Sequence, residues 1–237
     1  SLLAIFFQTG KNRMVGLILC PLILYLILRT DSLQGLVLAS VGIYVNFFFL
    51  IRRHQKRIAQ IFYLGVGAIL SISSIFGVFG FGPLQTVLRQ NTILFREQYW
   101  FAAINMTKLN PMFGVGMDSY GDWYRRARGI KSLTTPGVDT VTNAAHNVYL
   151  DLLSYGGFPL LLLYLTLIIF SAKSALNVLK RDKKIDPIFI AIFLIWTCYH
   201  IQALISINQI GLAVWWWLTS ALLIAYDRCI FDDDNEL

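Results

Sequence analysis

The sequence predicts an all-α, polytopic membrane protein in which transmembrane helices flank one large, helical external loop. Three observations carry this. Apolar residues make up 57% of the chain, and charge vanishes over successive windows of about fifteen to twenty-five residues, enough to cross about 30 Å of hydrocarbon at about 1.5 Å per residue. The remaining charge collects in short clusters between those windows. One polar, aromatic-rich stretch, Gly82 to Gly157, interrupts the apolar pattern, and a loop that long is seldom kept without a use.

Three apolar runs precede the polar stretch: Met14 to Leu28, Leu36 to Ile51 and Ile58 to Phe81. Three follow it: Phe158 to Phe170 with an amphipathic extension to Leu179, Pro187 to Ile205, and Gly211 to Tyr226. A seventh run, Ser1 to Gln8, starts abruptly without an initiator Met, so the chain reads as the C-terminal part of a longer polytopic protein with about six or seven spans here. The expected organisation is transmembrane helices over 1–81, an external loop over 82–157 that carries the active site, and transmembrane helices with a cytoplasmic tail over 158–237.

A net charge of +7 raises the question of nucleic acid. The basic residues instead cluster in short inter-helix turns, Arg52, Arg53, Lys56 and Arg57 in one and Lys180, Arg181, Lys183 and Lys184 in another, as cytoplasmic turns do. Nucleic acid is therefore not an expected partner, whereas membrane lipids are. With both clusters inside, the polar stretch lies outside, and its own Arg and Lys are no obstacle because long loops cross largely regardless of charge. Cys20, Cys198 and Cys229 lack any paired or zinc-type spacing and read as buried apolar thiols. The acidic end, Asp232, Asp233, Asp234 and Glu236, reads as a solvated tail, and Trp215, Trp216 and Trp217 as an interfacial belt.

Within the loop, helical character from Leu84 to Leu109 ends at Asn110-Pro111, where a residue before proline is pushed out of the helical region. Arg96 and Trp100 are four apart, so they share a face and are placed to stack as a cation on an indole. Such a pair is either a surface contact or an arginine held for a two-pronged grip on phosphate. Asn110 to Gly116 forms a turn with two glycines, which lacks the third glycine and the strand-to-helix setting of a dinucleotide site. Tyr120, Trp123 and Tyr124 with Arg125, Arg126 and Arg128 make an aromatic and basic patch, suited to a sugar-phosphate cleft or to anionic headgroups. Asn143 is a candidate N-cap, which places His146 in a first helical turn, where the macrodipole disfavours the imidazolium and leaves a neutral base.

These elements, in order, resemble the O-antigen ligase and polymerase family: Arg96 with Trp100, the Asn110 to Gly116 turn with Tyr120 beyond, then His146, Asn147, Tyr149, Leu150 and Gly157. The match covers roughly Phe95 to Leu165, the family's large periplasmic loop and the helix after it. The resemblance implies a multi-pass enzyme of the bacterial inner membrane that needs no cofactor or metal. Its donor would be a glycan on undecaprenyl pyrophosphate, and its acceptor a hydroxyl on lipid A-core, as in the ligases. His146 and Arg96 would be catalytic, with Trp100, Asn147, Tyr149, Arg125, Arg126 and Arg13 binding substrate.

The same constellation serves polymerases, for which the acceptor is a second glycan, and some relatives glycosylate proteins. Two departures stand out. Tyr155 occupies the place where family members commonly carry an acid, and three apparent spans separate Arg13 from the loop, which would put it on the cytoplasmic side. A transporter is the reading from another class, but ion-coupled carriers need ionisable groups near mid-membrane. The spans offer His200, which a histidine bonded to a neighbouring helix explains.

Overall fold

A computed structural model describes residues 11–30, 32–54, 56–181 and 185–235, with side chains described except at 11–13, 53–54 and 230–235. Among the described residues the structure is all helical. Helix α1 is Lys11–Arg29, α2 Leu33–His54, α3 Arg57–Val78, α4 Gln85–Leu88, α5 Asn91–Leu109 and α6 Tyr120–Ala127. A 3-10 turn at Ile130–Leu133 leads to α7 Val148–Arg181, α8 Pro187–Ala203 and α9 Ile210–Asn235. The apolar run Ser1 to Gln8, Lys183 and Lys184 of the second basic cluster, and Glu236 of the tail lie outside the described residues.

Among the described residues four helices are long and apolar enough to cross a membrane: Leu33–Arg52, Arg57–Val78, Val148–Arg181 and Ile210–Cys229. Of the six or seven spans expected these four qualify, beside two shorter apolar helices, Met14–Arg29 and Pro187–Ala203. At about 1.5 Å per residue the shorter pair fall below about 30 Å of hydrocarbon.

The chain forms two compact units. One holds the described residues up to Gln60 with Thr166–Gln202 and Gln209 onward. Asp186 starts α8 by accepting the Ile188 N–H at 2.9 Å, with Pro187 in the first helical position, where its missing N–H costs nothing. Phe49 packs with Ile190 and Leu194, and Ala175 and Val178 of α7 pack with Phe189 and Leu223. The Arg52 guanidinium donates to the Leu179 carbonyl, so the ends of α2 and α7 that carry basic clusters lie side by side. His200 accepts the Trp216 indole N–H at 3.0 Å, the neighbouring-helix bond expected of it. That bond corrects the reading of the tryptophans: Trp216 is 1% exposed, while Trp215 and Trp217, at 52% and 54%, keep the outward position. The three thiols are not buried as expected: Cys229 is exposed and Cys20 and Cys198 are intermediate, because a spanning helix turns apolar side chains to lipid as well as to protein.

The other unit is Ile61–Leu165 with Ala203–Asn208. The helix expected over Leu84 to Leu109 is two, broken at Arg89 and Gln90, where the backbone turns extended before Asn91. Helix α5 ends at Asn110 as predicted. Helix α7 is interrupted at Gly157, whose φ of 68° and ψ of −165° are non-helical.

The interruption has a covalent cause. The Tyr155 carbonyl would be served by residue 159, a proline without an N–H, and at Gly157 the backbone turns away before the Ser154 carbonyl is served. Both carbonyls are taken up by the Asn110 to Gly116 turn: Val115 N–H donates to Ser154 at 2.8 Å and Gly116 N–H to Tyr155 at 3.0 Å. In return Phe158 N–H donates to the Pro111 carbonyl at 2.9 Å. The fit is close on both sides. A Cβ on Gly114 would strike the Ser154 and Tyr155 backbone, and one on Gly157 the Pro111 and Met112 backbone, and both glycines have positive φ. The two glycines of the turn thus serve a backbone clasp, with their neighbouring amides already occupied.

Replacing either Gly114 or Gly157 by Ala is expected to cost at least about 1–3 kcal/mol from strained φ alone. Gly42→Ala, in the middle of α2 with nothing within 4 Å of the added Cβ, should be neutral or gain about 0.5–1 kcal/mol. Thermal unfolding of the detergent-solubilised full-length protein separates the two cases, and equal midpoints for all three variants would contradict the clasp.

Candidate functional site

The site is built on α5 and on the turn that precedes α7. Helix α5 buries Tyr99, Ala102, Ala103 and Met106 against Tyr120, Tyr124 and Ala127 of α6 and against Ala145. The Tyr120 hydroxyl donates to the Tyr99 carbonyl at 2.6 Å, and Asn105 Nδ2 to the Ala127 carbonyl at 2.8 Å, so the two helices are joined at both ends of their contact. Burial first, and then the charge of Asp151, raise the Tyr120 phenol well above its ordinary pKa, which keeps it a donor.

The N-cap of α7 is Asn147, in place of the expected Asn143. Its Oδ1 accepts the Tyr149 and Leu150 N–H groups, each at 3.1 Å, and its Nδ2 donates to the Leu204 carbonyl at 2.9 Å. Asn143 lies upstream in the loop, where its carbonyl accepts the Tyr155 hydroxyl at 3.3 Å. His146 therefore stands just before the helix, with a left-handed φ of 58° rather than in a first turn. Few residues other than glycine adopt that conformation, histidine being among those that do more often.

This turn sets the His146 ring 5.7 Å from the Tyr99 ring, centroid to centroid, at 31° between planes. The imidazole is held below its ordinary pKa, the neutral state expected of it, but the causes are burial first and then the Arg96 charge. Arg96, one turn of α5 before Tyr99, is likewise lowered by burial, with Tyr99 opposing. Its neighbour Glu97 is turned to Arg89, at 3.4 Å. Among the described residues no carboxylate pairs with Arg96.

Arg96 lies near enough to His146 for its charge to act on the imidazole, and near enough to act on Tyr99, the ring against His146 that sequence reasoning overlooked. Its position three residues after Arg96 was the available signal. Arg96 does not stack on Trp100: the cation–π contacts among the described residues are Arg126 over Trp123 at 5.6 Å and Arg128 over Tyr124 at 5.9 Å. Trp100 packs against the α5–α6 cluster instead, its indole N–H buried without a partner. Arg125 and Arg126 are exposed, whereas Arg128 is tied to the Val138 carbonyl at 2.9 Å. The Tyr149 ring meets the Tyr164 ring edge-on at 6.0 Å. Arg13 lies in the first turn of α1, and its side chain is outside the described residues. Among the described residues no three His, Cys, Asp or Glu side chains gather as metal ligands would.

Apolar helices of spanning length define a membrane protein, and in the loop between them a half-buried arginine acts on a histidine held below its ordinary pKa. Residues 3–165 match the family model Wzy_C, described as O-antigen ligase, and the chain belongs to that family. Membership implies a glycosyltransferase-like membrane enzyme acting on lipid-linked glycans. Neither the curated proteins nor the solved structures gave a match.

Because Arg96 disfavours the imidazolium, removing its charge should raise the His146 pKa. In an NMR titration of histidine-labelled protein, Arg96→Gln is expected to move the His146 midpoint to higher pH, and Arg96→Lys to leave it nearer the wild-type value. A midpoint unchanged in Arg96→Gln would show that the two charges do not sense each other.

Proposed function

We propose that the enzyme transfers a glycan from undecaprenyl pyrophosphate to an acceptor hydroxyl at the outer face of the inner membrane, as a ligase onto lipid A-core. The observation that carries this is Arg96: half-buried, without a carboxylate among the described residues, and close enough to His146 to depress its pKa. A desolvated guanidinium that lacks a counter-ion is a site for one, and its planar fork suits a pyrophosphate. The basic ends of α2 and α7, set side by side by the Arg52 bond to the Leu179 carbonyl, support a shared cytoplasmic position for those two ends, as basic turns usually have.

In this reading His146 takes the proton of the acceptor hydroxyl as its oxygen bonds to the anomeric carbon. The bond from that carbon to the pyrophosphate oxygen breaks, and the departing electron pair is stabilised by Arg96. The leaving group is already good, so the reaction needs no metal. Trp100, Arg125, Arg126 and Tyr149 line the approach for sugar and phosphate. Asn147 contributes by fixing the turn, since both ends of its amide are engaged. Arg13 remains a candidate phosphate ligand.

In the full-length protein, His146→Ala is expected to slow transfer by about 10²- to 10⁴-fold and Arg96→Ala by about 10²- to 10³-fold. Both variants should be present at normal abundance while long-chain surface glycan disappears from gels. Normal long-chain glycan in the His146→Ala strain would remove histidine from the mechanism. In a deletion strain, finished chains stranded on the carrier are the ligase outcome, and single-repeat caps would assign the protein to the polymerases instead.

A further inference from the structure

Asp151 is a carboxyl group that the proposed transfer does not use. It is 4% exposed and sits at the fourth position of α7, one turn beyond the Asn147 cap; its own N–H donates to the Asn147 carbonyl at 2.8 Å. The titratable groups that sense it are the phenols of Tyr120 and Tyr155. What its oxygens hold is backbone. Oδ1 accepts the Ala145 N–H at 2.6 Å.

Ala145 and Asn147, the two residues so held, flank His146. In the common reciprocal cap an acid at the third helical position reaches back to the N–H of the capping residue alone. Placed one residue later, Asp151 reaches past the cap to the N–H two residues before it. With the Ala145 N–H on its side chain and the Asn147 carbonyl on its own N–H, the chain between them doubles back, and the residue at the apex is His146, with its φ of 58°. The same turn sets its ring on Tyr99, whose carbonyl is fixed by Tyr120.

We propose that Asp151 is a positioning residue: it clamps the backbone on both sides of His146, by its carboxyl group at Ala145 and by its own N–H at Asn147, and so fixes the imidazole against Tyr99 and beside Arg96. The kinetic consequence rests on His146 being the base of glycan transfer, whereas the clamp itself does not.

The test uses Asp151→Asn, which keeps the volume and one acceptor oxygen, in the full-length protein in membrane vesicles. Carbethoxylation by diethylpyrocarbonate is followed at each histidine by peptide mass spectrometry. His146 should react about tenfold faster than in the wild type, on the scale of one lost hydrogen bond to a charged group, while His200 keeps its rate and so reports an intact fold. Transfer by the same variant should lose kcat with KM unchanged. Asp151→Glu, which retains both acceptors, should recover part of both. An unchanged His146 rate in Asp151→Asn would overturn the clamp. A faster His146 rate, together with undiminished transfer by His146→Ala, would keep the clamp and remove the base assignment.

Discussion

The constraint on which the rest depends is that two carbonyls at the start of a membrane helix have no partner within it. Backbone oxygens left bare beside hydrocarbon cost several kcal/mol each, so a break at Gly157 before Pro159 is tolerable only where other donors arrive. They come from the turn after α5, and the exchange is reciprocal, with Phe158 donating back to Pro111. The loop is thereby fixed to its exit helix by backbone bonds, which side-chain substitutions around them leave in place. Glycine at 114 and 157 is what allows two main chains to approach that closely.

Upstream of the break, the cap of α7 meets the same demand at a helix N-terminus. Four amides there lack helical partners; the Asn147 side chain serves two of them, and the Asp151 side chain serves one amide outside the helix. The by-product is a histidine in a rarely used conformation, packed on an aromatic ring and partly dehydrated. Strained residues persist only where their surroundings over-determine them, and both neighbours of His146 are bound.

Burial then does the electrostatic work. It disfavours charge on His146 and on Arg96 alike, but the two respond differently because an arginine loses its proton only far above neutrality while histidine titrates near it. One remains a cation and the other becomes a neutral acceptor, side by side, which acyl or glycosyl transfer to a hydroxyl requires: something to take a proton and something to receive negative charge. Membership of the O-antigen ligase family supplies the glycan. The pairing of Glu97 with Arg89 is a small detail with a large effect, since it withholds the nearest acid in sequence from Arg96.

By itself the sequence determined the class of protein, because hydropathy over about twenty residues reports directly on the cost of crossing hydrocarbon. It also pointed to the O-antigen ligase family, through ordered elements from Arg96 to Gly157, and to a partner for His200 on the next helix. Tertiary structure decided everything that depends on which main-chain groups meet. Asn147 rather than Asn143 caps α7, Tyr99 rather than Trp100 lies beside Arg96, and the paired glycines join two backbones instead of cradling phosphate. Trp216 turned inward for the same reason, since one helical face has to meet its neighbour. Sequence spacing tells which residues share a face, but which face is buried, and which orphaned amide or carbonyl it must satisfy, is settled only when the neighbouring chain arrives.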